Sequence, residues 1–399
     1  MRVVNARLPC KKVLVVGPIP AHLGSRNHGG VAAHTWLHSR LLIDKGYSVT
    51  ILAVGSYLGS SFEMSGIKVL GLPKFSSLWF IKSLAVAIGK SIQEKDCRKS
   101  AFVNRFFTKY KLNDVDLAGF DVIHVQSIHS QFQSVANVDS DVTKVLTVHS
   151  YHDVLKTSGR PKEHLIRVHL SAKSWFDEVI HVSQTDQSKS FALGLEDSNR
   201  RVIHNPVAVS CCEPRGKVID ILFVGGLTSR KRPELVLKAV KSLAFEVKCF
   251  VIGGGPLAKE LEEIYGEYAE FSGFVSHHEV LELMARSRVL CVPSVSESFG
   301  LVYVEAALEG AAVIGYLDTI SEIADVTRLS AEERAYFVGF DPDESDPEVM
   351  ADALTDILCN HSRDSKKVSA SIGAKLASQF SGEAYMKKIQ KVYGKRPNE

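Results

Sequence analysis

Cysteine is sparse and unpatterned: seven residues are scattered over the chain and none forms a Cys-x-x-Cys pair. An odd, dispersed set does not read as a disulfide framework or a zinc site, and it points to a reducing, cytoplasmic setting. Long apolar runs are missing too. No stretch approaches the roughly eighteen uncharged apolar residues of a membrane span. The run Val13–Val16 is broken by Gly17-Pro18-Ile19-Pro20, too soon for a signal-peptide core. A net charge of +3 is too small for a nucleic-acid footprint. Low-complexity tracts and repeats of solenoid length are absent. Neither a Gly-x-Ser-x-Gly elbow nor a Walker loop occurs.

What remains is apolar material for two cores. Apolar residues make up 45% of the 399 and charged residues 23%, and the length suggests two domains. Lys12–Val16, Ser48–Val54, Ile67–Leu70, Val122–Gln126, Lys144–His149, Glu178–Ser183 and Val202–His204 read as buried strands. Gly29-Gly30 opens a helix that Gly46 closes. The segment Asn205–Lys217, with Pro206, Pro214 and Gly216, reads as a linker. Beyond it the pattern restarts, with strands at Asp220–Val224, Val247–Ile252, Val289–Pro293 and Ala312–Gly315. Helices are expected at Pro233–Leu243, Pro256–Tyr268 and Ser298–Glu309. Apolar strands separated by helical crossovers predict parallel sheets covered on both faces. The expected fold class is α/β, with two domains facing a cleft, over 1–210 and 218–375. Ligands of such sheets sit beyond the carboxyl ends of the strands, so chemistry is sought in the loops that follow them.

One segment stands apart by charge. Lys74–Lys111 holds nine Lys/Arg against two acids, a net +7 that leaves −4 for the rest of the chain. Leu78, Trp79, Phe80, Ile81, Leu84 and Val86 are interleaved with it, followed by Phe102, Val103, Phe106 and Phe107. Two readings stay open: a helix pair with its apolar faces on the core, or a basic amphipathic surface resting on anionic lipid.

The most specific unit lies between Val289 and Gly310. A strand ends at Pro293-Ser294, a loop carries Glu297, a helix begins near Ser298-Phe299-Gly300, and Glu305 follows eight residues after Glu297. A helix start offers unpaired N–H groups and a positive dipole end, which suits a phosphate. Two carboxylates beside a phosphate make sense as acceptors for sugar and ribose hydroxyls around it. Glu305, about two turns into the expected helix, leans back toward that end. The plainer alternative is a capping Glu297 and a surface Glu305.

The run Pro293-Ser-Val-Ser-Glu297-Ser-Phe-Gly300-Leu-Val-Tyr-Val-Glu305-Ala resembles the Glu-x7-Glu signature of retaining family-4 glycosyltransferases. Asp121-Val-Ile-His124, Thr147-Val-His149 and Val179-Ile-His-Val-Ser183 are similar to strand-end motifs of that family's N-terminal domain. Val202-Ile-His-Asn205-Pro206-Val207 looks like its approach to the hinge, and Phe223-Val-Gly-Gly-Leu-Thr-Ser-Arg-Lys231 and Val251-Ile-Gly-Gly-Gly255-Pro256 like the start of its second domain. The resemblance implies the glycosyltransferase-B (GT-B) architecture of two Rossmann-like domains, with a C-terminal helix in 376–399 returning to the first. It implies a UDP- or GDP-linked sugar as donor substrate, with no cofactor and no metal. The acceptor it implies is a glycan or lipid-linked saccharide of envelope polysaccharide or glycolipid synthesis, met in the cytoplasm or peripherally at the cytoplasmic membrane face. Position by position, Lys231 and the Gly30 backbone would hold the donor diphosphate, together with the helix start at Ser298, Phe299, Gly300 and Leu301. Glu297 would touch the transferred sugar, Glu305 the ribose, and His149 the sugar at the reacting face.

Two positions depart from the family. Gly226 stands where an arginine is usual, which leaves Arg230 or Arg232 to supply the second cation, and the usual glycines before Ser321-Glu322-Ile323 are absent. The first departure keeps a degenerate transferase open as an alternative, beside an inverting transferase or epimerase. Gly253-Gly254-Gly255-Pro-Leu-Ala258 also matches a dinucleotide fingerprint, but it lies in the second half, where it reads better as a tight strand-to-helix turn. Asp114/Asp116, Asp139/Asp141 and Asp341/Asp343 read as solvated loops rather than metal pairs. His149, His152 and Asp153 lack the further ligands a transition metal needs.

Overall fold

The computed structural model describes residues 11–23, 30–54, 60–71, 76–93, 99–113, 115–126, 138, 141–151, 166, 175–195, 199–208, 216–360 and 365–394. The chain forms two units, Met1–Pro206 with Tyr385–Glu399, and Val207–Ala384.

In the first unit the described elements are β1 (Lys12–Gly17), α1 (Gly30–Asp44), β2 (Ser48–Ala53), β3 (Phe62–Met64) and β4 (Ile67–Leu70). They continue with α2 (Ser77–Gln93), α3 (Lys99–Leu112), β5 (Val122–Val125), β6 (Thr143–Val148), β7 (Glu178–His181), α4 (Gln184–Ala192) and β8 (Arg200–Val202). The sheet runs β3-β4-β2-β1-β5-β6-β7-β8, parallel except for β3 on β4. Successive strand residues point to opposite faces. Leu14, Val16, Leu52, Ile123, Val125, Leu146 and Val148 therefore fill one core, while Val13, Val15, Ile51, Val122 and Val145 fill the other. That is why the strands are apolar without alternation. The second core is closed by the C-terminal helix Gly382–Tyr393, which buries Tyr385, Met386, Ile389, Val392 and Tyr393 there.

In the second unit β9 (Ile219–Val224), α5 (Pro233–Ser242), β10 (Cys249–Ile252), α6 (Ala258–Tyr265), β11 (Glu270–Gly273), α7 (His277–Ala285) and β12 (Ser287–Val292) come first. Then follow α8 (Leu301–Leu308), β13 (Ala312–Tyr316), α9 (Leu317–Val326), α10 (Ala331–Arg334), β14 (Phe337–Phe340), α11 (Pro347–Asn360) and α12 (Ser365–Phe380); α13, the C-terminal helix already described, returns the chain to the first unit. All six strands are parallel, in the order β11-β10-β9-β12-β13-β14. This is the strand order of a dinucleotide-binding Rossmann sheet. The chain reverses its direction of travel across the sheet between β9 and β12, as it does between β1 and β5 in the first unit. Ser321-Glu322-Ile323, before which the family's usual glycines are absent, lies in the interior of α9.

Candidate active site

At the reversal of the second sheet, two loops leave adjacent strands, 225–232 after β9 and 293–300 after β12. The Val295 N–H donates to Arg230 O at 2.8 Å and ties them together. The glycine triplet behind β10 has a packing reason. A Cβ on Gly253 would meet Gly225 O at 2.0 Å, and one on Gly255 would meet Leu227 O at 2.4 Å. The triplet thus lets the 225–232 loop lie directly on the turn, with Leu227 N donating to Gly254 O at 2.9 Å. A dinucleotide fingerprint is not needed to explain it.

Three charges converge there. Lys231 Nζ donates to Glu297 Oε1 in a short ion pair. Arg230 Nη1 donates to Ser296 O at 2.8 Å and lies 3.7 Å from the same Glu297 oxygen. Lys231 and Glu297 are nearly buried, with 13% and 11% of their side chains exposed, whereas Arg230 keeps 39%. Arg232 goes elsewhere. It holds a left-handed backbone (φ 56°) ahead of Pro233, and its guanidinium donates to Asp341 O, Pro342 O and Glu344 O beyond β14 while lying over the Phe340 ring. The two arginines are therefore not interchangeable, and only Arg230 reaches the Glu297 cluster. At Gly226 an added Cβ would find Thr228 Cγ2 at 3.8 Å and Gly254 O at 3.9 Å, ordinary contact distances, so the backbone there accepts a Cβ.

The helix after Glu297 starts later than its sequence suggests. Gly300 is the cap residue, at φ 69°, and α8 begins at Leu301. A Cβ on Gly300 would meet the Tyr303 ring at 2.4 Å, so both conformation and packing demand glycine. Glu305 is consequently the fifth helical residue, little more than one turn in, and its Oε1 accepts from His277 Nε2 at 2.9 Å. Phe299 is buried with its ring against Phe380, so its side chain belongs to the core and its backbone is the part left to a ligand. Ser298 and Leu301 are half-buried. Tyr303, unremarked in the sequence, donates its hydroxyl to Val292 O and accepts from Tyr316 N, fastening α8 to β12 and β13. Asp341 Oδ1 accepts from the Asp343 N–H at 2.8 Å.

In the first unit His149 lies one residue beyond β6, at the carboxyl end of the sheet, where Gln126 Oε1 accepts from its Nε2 at 2.9 Å. It belongs to a larger buried group. His34 meets it edge to face at 4.6 Å between ring centres, and His38 bonds Tyr385 at 2.9 Å and Tyr393 at 3.1 Å. His124 bonds Tyr393 and Thr147, each at 2.7 Å. Burial pushes His34 and His124 down to about 3, and it holds His38 and His149 well below the ordinary imidazole value, with neighbouring imidazoles adding to it. Gly30 is the first residue of α1; Gly29, His152, Asp153, Asp114 and Asp139 lie outside the described residues.

Comparison with known proteins assigns the chemistry. Residues 28–210 match the family described as Glycosyltransferase Family 4, and residues 213–370 match Glycosyl transferases group 1. The chain is a GT-B glycosyltransferase. It is 24% identical over 308 residues to the uncharacterized glycosyltransferase MJ1178 of Methanocaldococcus jannaschii, covering 74% of this chain and 82% of that one. To the gpi3 component of the Schizosaccharomyces pombe phosphatidylinositol N-acetylglucosaminyltransferase it is 21% identical over 383 residues, 92% of this chain and 77% of that protein. The fold of the transferase superposes on Anabaena Alr3699/HepE in complex with UDP-glucose with a TM-score of 0.65 at 16% identity, over 95% and 98% of the two chains.

Proposed function

We propose that this glycosyltransferase takes a sugar from a UDP- or GDP-linked donor and transfers it, with retention of configuration, to a glycan or lipid-linked saccharide in envelope polysaccharide or glycolipid assembly. The convergence of Lys231 and Arg230 on Glu297, at the strand-order reversal of the second sheet, carries this reading. Departure of a nucleoside diphosphate needs fixed cations and dipoles where negative charge develops. Lys231 and Arg230 supply the cations, and the first N–H groups of α8 and the Gly30 backbone supply dipoles. Glu297 then serves the transferred sugar, Glu305 the ribose and His149 the sugar, with no metal or cofactor. The UDP-glucose held by HepE and the lipid in the yeast relative's name support a nucleotide-sugar donor and a lipid-borne acceptor.

A panel of UDP- and GDP-sugars tests this by thermal shift and donor hydrolysis, since a ligand at a hundred times its Kd stabilises by about 2.7 kcal/mol. Product NMR then reads the anomeric configuration. An inverted product refutes retention, and no response to any donor refutes the donor class. Gly226 favours one second reading, a degenerate transferase that binds nucleotide without turnover. Gly226→Arg raising turnover from near nothing would establish it; hydrolysis by the natural chain would dismiss it.

The same reading places the protein peripherally at an anionic membrane face. No helix among the described residues is long and apolar enough to cross a bilayer. Yet α2 turns several large apolar side chains outward. Leu78 (57% exposed), Ile81 (63%), Ile88 (46%) and Ile92 (69%) fall on one face, while the small Ser83, Ala87 and Ser91 face inward. The helix contains no acid and sits within the +7 segment, so its charge complements an anionic lipid surface.

A further inference from the structure

The carboxylate given to the ribose is held from a second helix. His277 is the first residue of α7, and its imidazole reaches across to α8, where Nε2 stands 2.9 Å from Glu305 Oε1. The start of α7 does not need this contact, because Ser276 already caps it by accepting from the Glu279 N–H. Nor is the contact shared with the next histidine, since His278 lies beside Glu282 of its own helix at 3.9 Å. Glu305 keeps only 16% of its side chain exposed, against 62% for His277, so the carboxylate is the inner member of the pair.

We propose that His277 is a positioning residue for Glu305: by holding Oε1, it turns the other carboxylate oxygen toward the donor's ribose hydroxyls before the donor arrives. The proposal rests on the assignment of Glu305 to the ribose. A glutamate has three rotatable side-chain bonds and loses that freedom when it meets a ligand; one already fixed has less to lose. Hydrogen bonding to Glu305 also raises the pKa of His277, which favours the charged form and so the stronger donor. With Oε1 held by His277, the two lone pairs of Oε2 remain for ribose hydroxyls.

Calorimetric titration of the full chain with UDP and with GDP tests the proposal, together with steady-state hydrolysis of the donor, for His277→Ala, His277→Gln, Glu305→Ala and the double variant. His277→Ala is expected to raise the nucleoside diphosphate Kd and donor KM by about three- to tenfold, with kcat within about twofold of the natural value. His277→Gln, which restores an N–H donor of similar reach, should recover most of that loss. Adding His277→Ala to Glu305→Ala should change nothing more, because the two act as one unit. If Glu305→Ala weakens binding and His277→Ala does not, the positioning role is wrong. A lower kcat at unchanged KM in His277→Ala overturns it as well. If Glu305→Ala itself leaves Kd unchanged, the ribose assignment falls first and takes the proposal with it.

Discussion

Acid should unfold the first unit before its carboxylates titrate. Four imidazoles, of His34, His38, His124 and His149, are buried around Tyr385 and Tyr393 and are held below their ordinary value near 6.5. For a base whose folded pKa is depressed, the unfolded chain takes up the proton first. Its contribution to stability is therefore complete above about pH 6.5 and is lost as pH falls. Each pH unit below that point costs about 1.4 kcal/mol per imidazole that stays neutral in the fold. At pH 5 the cost is about 2 kcal/mol each, so His34 and His124 together lose about 4 kcal/mol. His38 and His149, held below the ordinary value as well, add to the loss in the same direction, against a total stability of about 5–15 kcal/mol for a typical domain. The pH 5 cost depends on the unfolded-state value, because a folded pKa of about 3 leaves His34 and His124 neutral there.

Denaturant midpoints at pH 7.5, 6 and 5, at constant ionic strength, measure the slope. Glu333, lowered to about 2, stabilises above its ordinary range and loses that support only as pH falls from about 4.5 toward 2, outside the window. The raised His277 has the opposite sign, stabilising at low pH and losing its effect as pH rises, but it is largely exposed. His124→Asn should cost about 1–2 kcal/mol at pH 7.5 through the hydrogen bond lost to Thr147. It should also flatten the slope by about 1.4 kcal/mol per pH unit. A natural chain equally stable at pH 7 and pH 5, or a variant with an unchanged slope, would refute the reasoning.

Lys231→Ala and Arg230→Ala should each weaken UDP or GDP binding, whereas Arg232→Ala should lower stability through its lost contacts beyond β14 and leave nucleotide affinity near natural; equal affinity losses at all three would contradict the geometry. Transfer should persist in EDTA, and activity silenced by chelation and restored by magnesium or manganese would move weight to Asp341/Asp343. The chain should bind anionic vesicles with a salt dependence, and Ile81→Glu with Ile92→Glu should abolish the binding; equal negligible flotation with neutral and anionic vesicles at low salt would sink the membrane placement.

Both sheets were legible in the sequence because their strands are apolar on both faces, as doubly covered parallel strands must be. β11 was not, since Glu270-Phe271-Ser272-Gly273 is a polar edge strand with no apolar run to notice. Lys231 and Glu297 were readable from motif order. The difference between Arg230 and Arg232 was not, because it arises from one left-handed residue that redirects the chain at 232. The helix expected from Ser298 begins at Leu301 instead; Gly300 caps it, and a positive φ and the Tyr303 ring both exclude a side chain there. His277 opens α7 with nothing local to mark it, and its partner lies 28 positions away on another element. His34 and His38 sit four apart on α1, the spacing that puts both on one face, but nothing local says that tyrosines from the far end of the chain will meet them.

The charge pattern around Glu297 suits a site that must accept an anion and release it. A nearly buried lysine with no counter-charge would be costly to keep ionised. Glu297 supplies that counter-charge in the structure, and Arg230, more exposed, stands beside the same carboxylate oxygen. On the proposed assignment, an arriving diphosphate would exchange one anion for another on cations already desolvated and oriented, so less of its binding energy would be lost to stripping water from them. The same exchange would free the Glu297 carboxylate at the moment a sugar hydroxyl is brought to it. A double-mutant cycle between Lys231 and Glu297 reads this directly: Glu297→Gln should tighten UDP or GDP binding in the natural background and lose most of that effect once Lys231 is alanine. Equal gains in both backgrounds would mean that Glu297 acts only as a distant repulsive charge and not as the partner the diphosphate displaces.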